Sequence, residues 1–142
     1  MNGAFFDSNV LIYLISEDLG KASIAEALLL EGGDVSVQVL AELTSVCRRK
    51  FRMEWEDIDD VRRLIRRHCK LHALTPSIHN KAFDLASHSG YTIYDAQILA
   101  AAAHVGCGVV WSEDMQDGHR VSVSGKTLEI RNPFARAHEH GV

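Results

Sequence analysis

The chain has 142 residues, of which 46% are hydrophobic, and a formal net charge of −4 at pH 7; that is enough apolar material for one core and the usual length of a single domain. Its longest apolar runs, Val10 to Ile15 and Ile98 to Ala103, fall far short of the ~20 residues that cross a bilayer. No basic, leader-like segment opens it. Neither a membrane nor an exported protein is expected, and the cytoplasm is the default location. Cys47, Cys69 and Cys107 are odd in number, widely spaced and without a Cys-x-x-Cys pair, which argues against a disulfide framework and a zinc site and for three free thiols.

The first elements read in chain order are a short buried strand over 4–6, a helix from about Asn9 to Ser16, and a helix from about Lys21 to Glu31 that stops at Gly32-Gly33. A second strand follows at 34–37. From Gln38 to about Phe51, Val39, Leu40, Leu43, Val46 and Cys47 recur at helical spacing, and 54–70 repeats the pattern with Ile58, Val61, Leu64, Ile65 and Cys69. A third strand is expected near His72 to Leu74. Pro76 opens a helix to about His88, and Thr92 opens another to about Val105. Gly108 to Trp111 and Leu128 to Arg131 complete five strands. Strands alternating with helices over short connections predict a parallel sheet covered on both faces, an α/β sandwich occupying 1–134. Residues 135–142, with His138 and His140, read as a flexible tail in preference to a metal site.

The basic residues are concentrated. Nine of the fifteen Lys and Arg lie between Arg48 and Lys70, and five acids among them leave a local excess of four positive charges. Arg62, Arg63, Arg66 and Arg67 are therefore candidate RNA contacts that track phosphates; a solvated helical face held by pairs such as Asp59 with Arg63 is the equal alternative.

Four carboxylates stand out. Asp7 ends the first strand and Asp114 follows the fourth, the edge where ligands collect in open α/β sheets. An Asp there is also a good helix cap or turn residue. Glu42 lies within about 60° of Val39 and about 40° of Val46 at 100° per residue, on the rim of a core-facing stripe from which it could also reach solvent. Asp95 shares a face with Ile98, Leu99 and Ala102, although with Thr92 it also forms a capping-box pattern. Each position has an ordinary explanation, but all four acids fall at a strand exit or on a buried helix face. Such a set repels itself in a low-dielectric cleft unless it takes up protons or a cation, and oxygen donors alone suit Mg²⁺ or Mn²⁺.

At this point four segments match a known family. Phe6-Asp7-Ser8-Asn9-Val10-Leu11-Ile12-Tyr13, Val39-Leu40-Ala41-Glu42-Leu43, Tyr94-Asp95-Ala96-Gln97-Ile98-Leu99-Ala100-Ala101-Ala102 and Trp111-Ser112-Glu113-Asp114-Met115-Gln116-Asp117-Gly118 resemble the PIN-domain ribonucleases, and among them the VapC toxins of bacterial toxin-antitoxin pairs. The resemblance extends to Asn132-Pro133-Phe134. It implies a three-layer α/β/α sandwich with a mainly parallel sheet of about five strands. Asp7, Glu42, Asp95 and Asp114 become the catalytic acids, with Asp7, Asp95 and Asp114 as metal ligands and Asn9 and Ser112 in support. It further implies Mg²⁺ or Mn²⁺, an RNA substrate, a homodimer and an antitoxin bound over the site. Asp117 stays open as the fourth acid in place of Asp114. The activity expected is metal-dependent hydrolysis of RNA phosphodiesters, and the alternative is a non-catalytic RNA- or protein-binding module with a structural cation. A haloacid-type phosphatase would need an Asp where Asn9 stands, and a phosphoacceptor receiver domain would need paired acids after the first strand where Ser8 and Asn9 follow Asp7.

Overall fold

The computed structural model describes residues 3–135. The tail expected over 135–142, with its two histidines, lies outside the described residues except for Ala135. Six strands, β1 (Ala4–Phe6), β2 (Gly33–Ser36), β3 (Cys69–His72), β4 (Val109–Trp111), β5 (Arg120–Val123) and β6 (Lys126–Arg131), form one sheet in the order β3-β2-β1-β4-β6-β5. All neighbouring pairs are parallel except β5 with β6. Six helices connect them: α1 (Ser8–Leu11), α2 (Leu19–Glu31), α3 (Val37–Arg49), α4 (Trp55–His68), α5 (Pro76–His88) and α6 (Ile93–His104). Among the described residues no helix is long and apolar enough to cross a membrane.

Local sequence explains most boundaries. Asp18, Ser36, Thr75 and Thr92 each cap a helix by accepting a backbone N–H from the first turn, Pro76 occupies a first-turn position where its missing N–H costs nothing, and Gly32 ends α2 at φ 85°. Gly33 serves a different need. A Cβ there would sit 2.6 Å from the carbonyl oxygen of Ala4, so its absence lets β1 and β2 approach.

The sheet's order decides where a ligand can enter. The chain lays β1, β2 and β3 outward in one direction and then returns across β1 to place β4. With right-handed crossovers, α1 to α4 fall on one face and α5 and α6 on the other, matching the contacts of α2 and α3 with α4 and of α5 with α6. The outcome is a three-layer α/β/α sandwich. Strand order reverses at β1, so β1 and β4 separate at their carboxyl ends into a crevice. Phe5, Phe6, Val110 and Ile130 are fully buried beneath it. The three cysteines are free and buried.

Four details depart from expectation. The sheet has six strands because 120–123 forms a hairpin with β6 around Ser124 (φ 50°) and Gly125 (φ 80°); positive φ at both central residues is the geometry of a tight hairpin turn. β3 begins three residues earlier than expected, at Cys69. It is an edge strand with little apolar pattern, and its position follows from its register with β2 and from the 2.7 Å pair between His72 Nε2 and Asp34 Oδ1. The first helix is α1 followed by a 3₁₀ turn over Ile12–Ile15. Finally, α6 is buried on every side from Ala96 to Ala103, so a core-facing stripe does not define the place of Asp95.

Candidate active site

Asp7 leaves β1 and caps α1. Its Oδ1 accepts the Ser8 amide at 2.7 Å, and its Oδ2 accepts Ser112 Oγ at 2.8 Å and Asn9 Nδ2 at 3.2 Å. The cap expected from sequence is therefore present, and the same side chain also lines the cleft. It is 4% exposed. Burial, reinforced by the charges of Glu42 and Asp95 and opposed by the bonds from Ser112 and Ser8, pushes its pKa up to about 6.

Asn9 and Ser112 join the two strand exits. Asn9 Nδ2 also reaches Ser112 Oγ at 3.3 Å, while Asn9 Oδ1 accepts the Glu113 amide at 2.9 Å. Ser112 Oγ accepts the Met115 amide at 3.3 Å. These bonds fix the β4 exit against α1 and set the path of the chain through Asp114.

Glu42 reaches the cleft from the half-buried rim of α3, as the helical spacing predicts. Its Oε1 accepts Ser8 Oγ at 3.3 Å and its Oε2 accepts Gln38 Nε2 at 3.3 Å. The Gln38 amide nitrogen also donates to the Tyr94 carbonyl at 3.0 Å, and its oxygen accepts Gln97 Nε2 at 2.7 Å. Gln97 Oε1 in turn meets His79 Nδ1 at 2.6 Å. A continuous polar chain thus runs from α5 through α6 and α3 to the acids.

Asp95 stands in the first turn of α6, where its amide donates to Thr92 Oγ1 at 3.1 Å. Burial first and then the charge of Asp114 hold its carboxyl above the usual carboxylate range. Asp114 is exposed but shares with Asp7, Glu42 and Asp95 a cleft of about 580 Å³. Asp117 faces elsewhere: its Oδ1 accepts the Asn132 amide at 2.8 Å, and it lines a separate hollow with Arg131 and Pro133. The cleft's acids therefore include Asp114 and not Asp117.

Sequence reasoning missed a fifth carboxylate. Glu113 lines the same cleft, but Tyr13 Oη donates to its Oε1 at 2.6 Å and Lys21 Nζ to its Oε2 at 2.8 Å. The Lys21 ammonium lies 4.7 Å from the centre of the Tyr13 ring, and Phe134 packs edge-on against that ring. No local signal links residues 92 positions apart. Among the described residues no Lys, Arg or His forms an ion pair with Asp7, Glu42, Asp95 or Asp114, so the deficit of positive charge falls on these four.

The basic stretch is divided. Arg62 and Arg63 both pair with Asp59, at 2.8 and 2.9 Å, and Arg66 and Arg67 are exposed on the same helix. None of the four lines the cleft. Arg49 and Lys50, at the end of α3, do.

The donor set is all oxygen, carries a net negative charge and has two members whose ionisation is suppressed, which suits a hard divalent cation. Among the described residues no three such groups are already gathered in a coordination cluster. The acids are instead arranged around a cleft wide enough for waters to complete a shell.

Fold and site together define an α/β domain with an acidic cleft at the switch point of its sheet. The chain belongs to the PIN domain family, whose model matches residues 4–118. No curated protein matches it. Among solved structures it is similar to VapC20 of Mycobacterium tuberculosis, a sarcin-ricin loop cleaving toxin, at TM-score 0.63 and 19% identity over 78% of this chain and 89% of that one. It is similar also to a toxin-antitoxin complex from Klebsiella pneumoniae (TM-score 0.66, 18% identity, 92% and 97% covered) and to VapBC2 of Rickettsia felis bound to a promoter DNA fragment (0.64, 14%, 91% and 97%). At these identities the likeness is one of fold.

Proposed function

We propose that the protein is a metal-dependent endoribonuclease of the VapC type, the toxin half of a toxin-antitoxin pair. The observation that carries this is the group of four carboxylates without cationic partners at the β1/β4 crevice, one of them buried. Membership of the PIN domain family and the VapC folds it resembles support the same reading. Asp7, Asp95 and Asp114 would hold Mg²⁺ or Mn²⁺, with Glu42 ligating through water or orienting one. A bound ion of this kind lowers the pKa of a coordinated water and neutralises charge developing on a phosphodiester. Ser112 and Asn9 hold the Asp7 carboxylate in place. Ser8 and Gln38 do the same for Glu42. The Lys21–Glu113 pair keeps the fifth acid from adding to the repulsion. A cognate antitoxin and a second copy of the chain are the partners proposed with this reading.

The test is incubation of purified protein with a defined panel of RNAs in Mg²⁺, Mn²⁺ or EDTA. Cleavage in either metal, abolished by EDTA and by Asp7→Asn or Asp95→Asn in folded protein, is the expected result. Metal-dependent stabilisation without cleavage would assign the acids to a structural cation, and cleavage by either variant at wild-type rate would refute the site.

A further inference from the structure

The cleft has two electrical ends. Glu42, Val46 and Arg49 line it from one helix. Seven residues of helix rotate the chain by 700°, within about 20° of two full turns, so Glu42 and Arg49 share a face and stand about 10 Å apart along its axis. That is too far for an ion pair, and the structure has none between them. Arg49 Nε donates to Ser45 Oγ at 3.0 Å, one turn back. This fixes the side chain while leaving both terminal nitrogens without an acid. Lys50 Nζ lies 5.7 Å from the Phe51 ring and likewise pairs with no carboxylate.

The adjacent Arg48 is committed elsewhere. Arg48 Nη1 donates to the Met53 carbonyl at 2.8 Å, with its guanidinium over the Trp55 ring. Two unpaired cations held at the end of an acidic cleft answer to an anion that lies in the cleft but outside the acidic centre. A polyanionic strand fits this arrangement, because one of its phosphates can occupy the acidic end through a cation while another reaches the basic end.

The geometry points to Arg49 and Lys50 as a phosphate-binding arm of the cleft, which takes the backbone of single-stranded RNA away from the acidic centre. The assignment rests on the nuclease reading for RNA as the ligand, but its binding role does not depend on cleavage. It also moves the phosphate contact from Arg62, Arg63, Arg66 and Arg67 to the end of α3. The guanidinium can grip a phosphate with two parallel bonds and the ammonium adds a point charge.

The test is equilibrium binding of a fluorescein-labelled 12-nucleotide RNA in EDTA across a KCl series, with cleavage kinetics in Mn²⁺ measured alongside. Arg49→Gln/Lys50→Gln should lower the slope of log K against log salt by about 1.4, that is two contacts at about 0.7 each on a single strand, and should weaken binding about tenfold. In cleavage KM should rise and kcat should hold, since the lost contact is present in ground and transition states alike. Arg49→Lys/Lys50→Arg should restore the slope. Arg66→Gln/Arg67→Gln should leave slope and KM as in wild type. An unchanged slope in the first double variant, or an equal loss in the α4 variant, overturns the assignment. If wild type cleaves nothing in either metal, the nuclease reading fails, and the binding slope still decides the arm.

Discussion

Asp7 combines two explanations that sequence reading treats as competitors. It caps α1 through Oδ1 while its side chain lines the cleft, and its burial makes ionisation costly. Its pKa of about 6 in the folded chain, against an ordinary 3.8, fixes the sign of a pH effect. The folded state keeps a proton that the unfolded state has released, so this group's contribution to stability falls as pH rises from about 4 to about 6. At 1.36 kcal/mol per pH unit the loss is up to roughly 3 kcal/mol in metal-free protein, and Asp95, raised in the same direction, adds to it. Urea titrations in EDTA at pH 4.5 and 7 should therefore show wild type losing more stability across that interval than Asp7→Asn does; parallel pH profiles would place the charge elsewhere. That Asp7, Glu42, Asp95 and Asp114 meet in one cleft was legible from strand-exit positions, helical spacing and short motifs, and Asn9 and Ser112 came from the family resemblance. The partners that neutralise Glu113 were not legible, because Tyr13, Lys21 and Glu113 meet only once the 3₁₀ turn after α1, the start of α2 and the exit of β4 are assembled.

At the level of elements, the Lys21–Glu113 bond ties α2 to the exit of β4. Both side chains are about a quarter exposed, so the pair is only partly shielded from solvent and its loss should be modest. Lys21→Met should cost about 1–2 kcal/mol by leaving Glu113 without its cation among other acids. Adding Glu113→Gln should recover most of this, and a double-mutant cycle by thermal melts measures the coupling; additive losses would mean the two do not interact. Gly33→Ala tests the closeness of β1 and β2. Its methyl would meet a backbone carbonyl that cannot move aside, so a loss of about 2–3 kcal/mol is expected from equilibrium unfolding, and a neutral substitution would show that the strands can part. Helix stripes and caps located α2 to α6 in the sequence. The β5–β6 hairpin was readable in principle from Val121, Val123 and the Ser124-Gly125 turn, but the stretch before it is polar and resembles a loop.

For the whole molecule, a cation that binds only the folded state should raise its stability by about 2.7 kcal/mol at 100-fold excess over Kd. A rise of several degrees in melting temperature in Mn²⁺, at lower concentration than in Mg²⁺, should appear in wild type and vanish in Asp95→Asn at matched ionic strength. Equal shifts in both would mean that the metal binds outside the cleft. The parallel topology was legible from the alternation of strands and helices. The reversal of strand order at β1, which creates the crevice, depends on long-range pairing that no local pattern records.

The polar chain from α5 to the acids has a direction. An ionised Glu42 can only accept, so Gln38 must offer it the amide nitrogen, and its oxygen is left to accept from Gln97; Gln97 then turns its own oxygen to His79. The imidazole at the far end must therefore carry hydrogen on Nδ1 in its neutral form, the less common tautomer of free histidine. Nitrogen-15 spectra of His79 should show that tautomer in wild type and the ordinary one in Gln38→Leu. The ring thus serves as a magnetic reporter, at the far end of the chain, on the orientation of the Gln38 amide that Glu42 and the Tyr94 carbonyl hold between them.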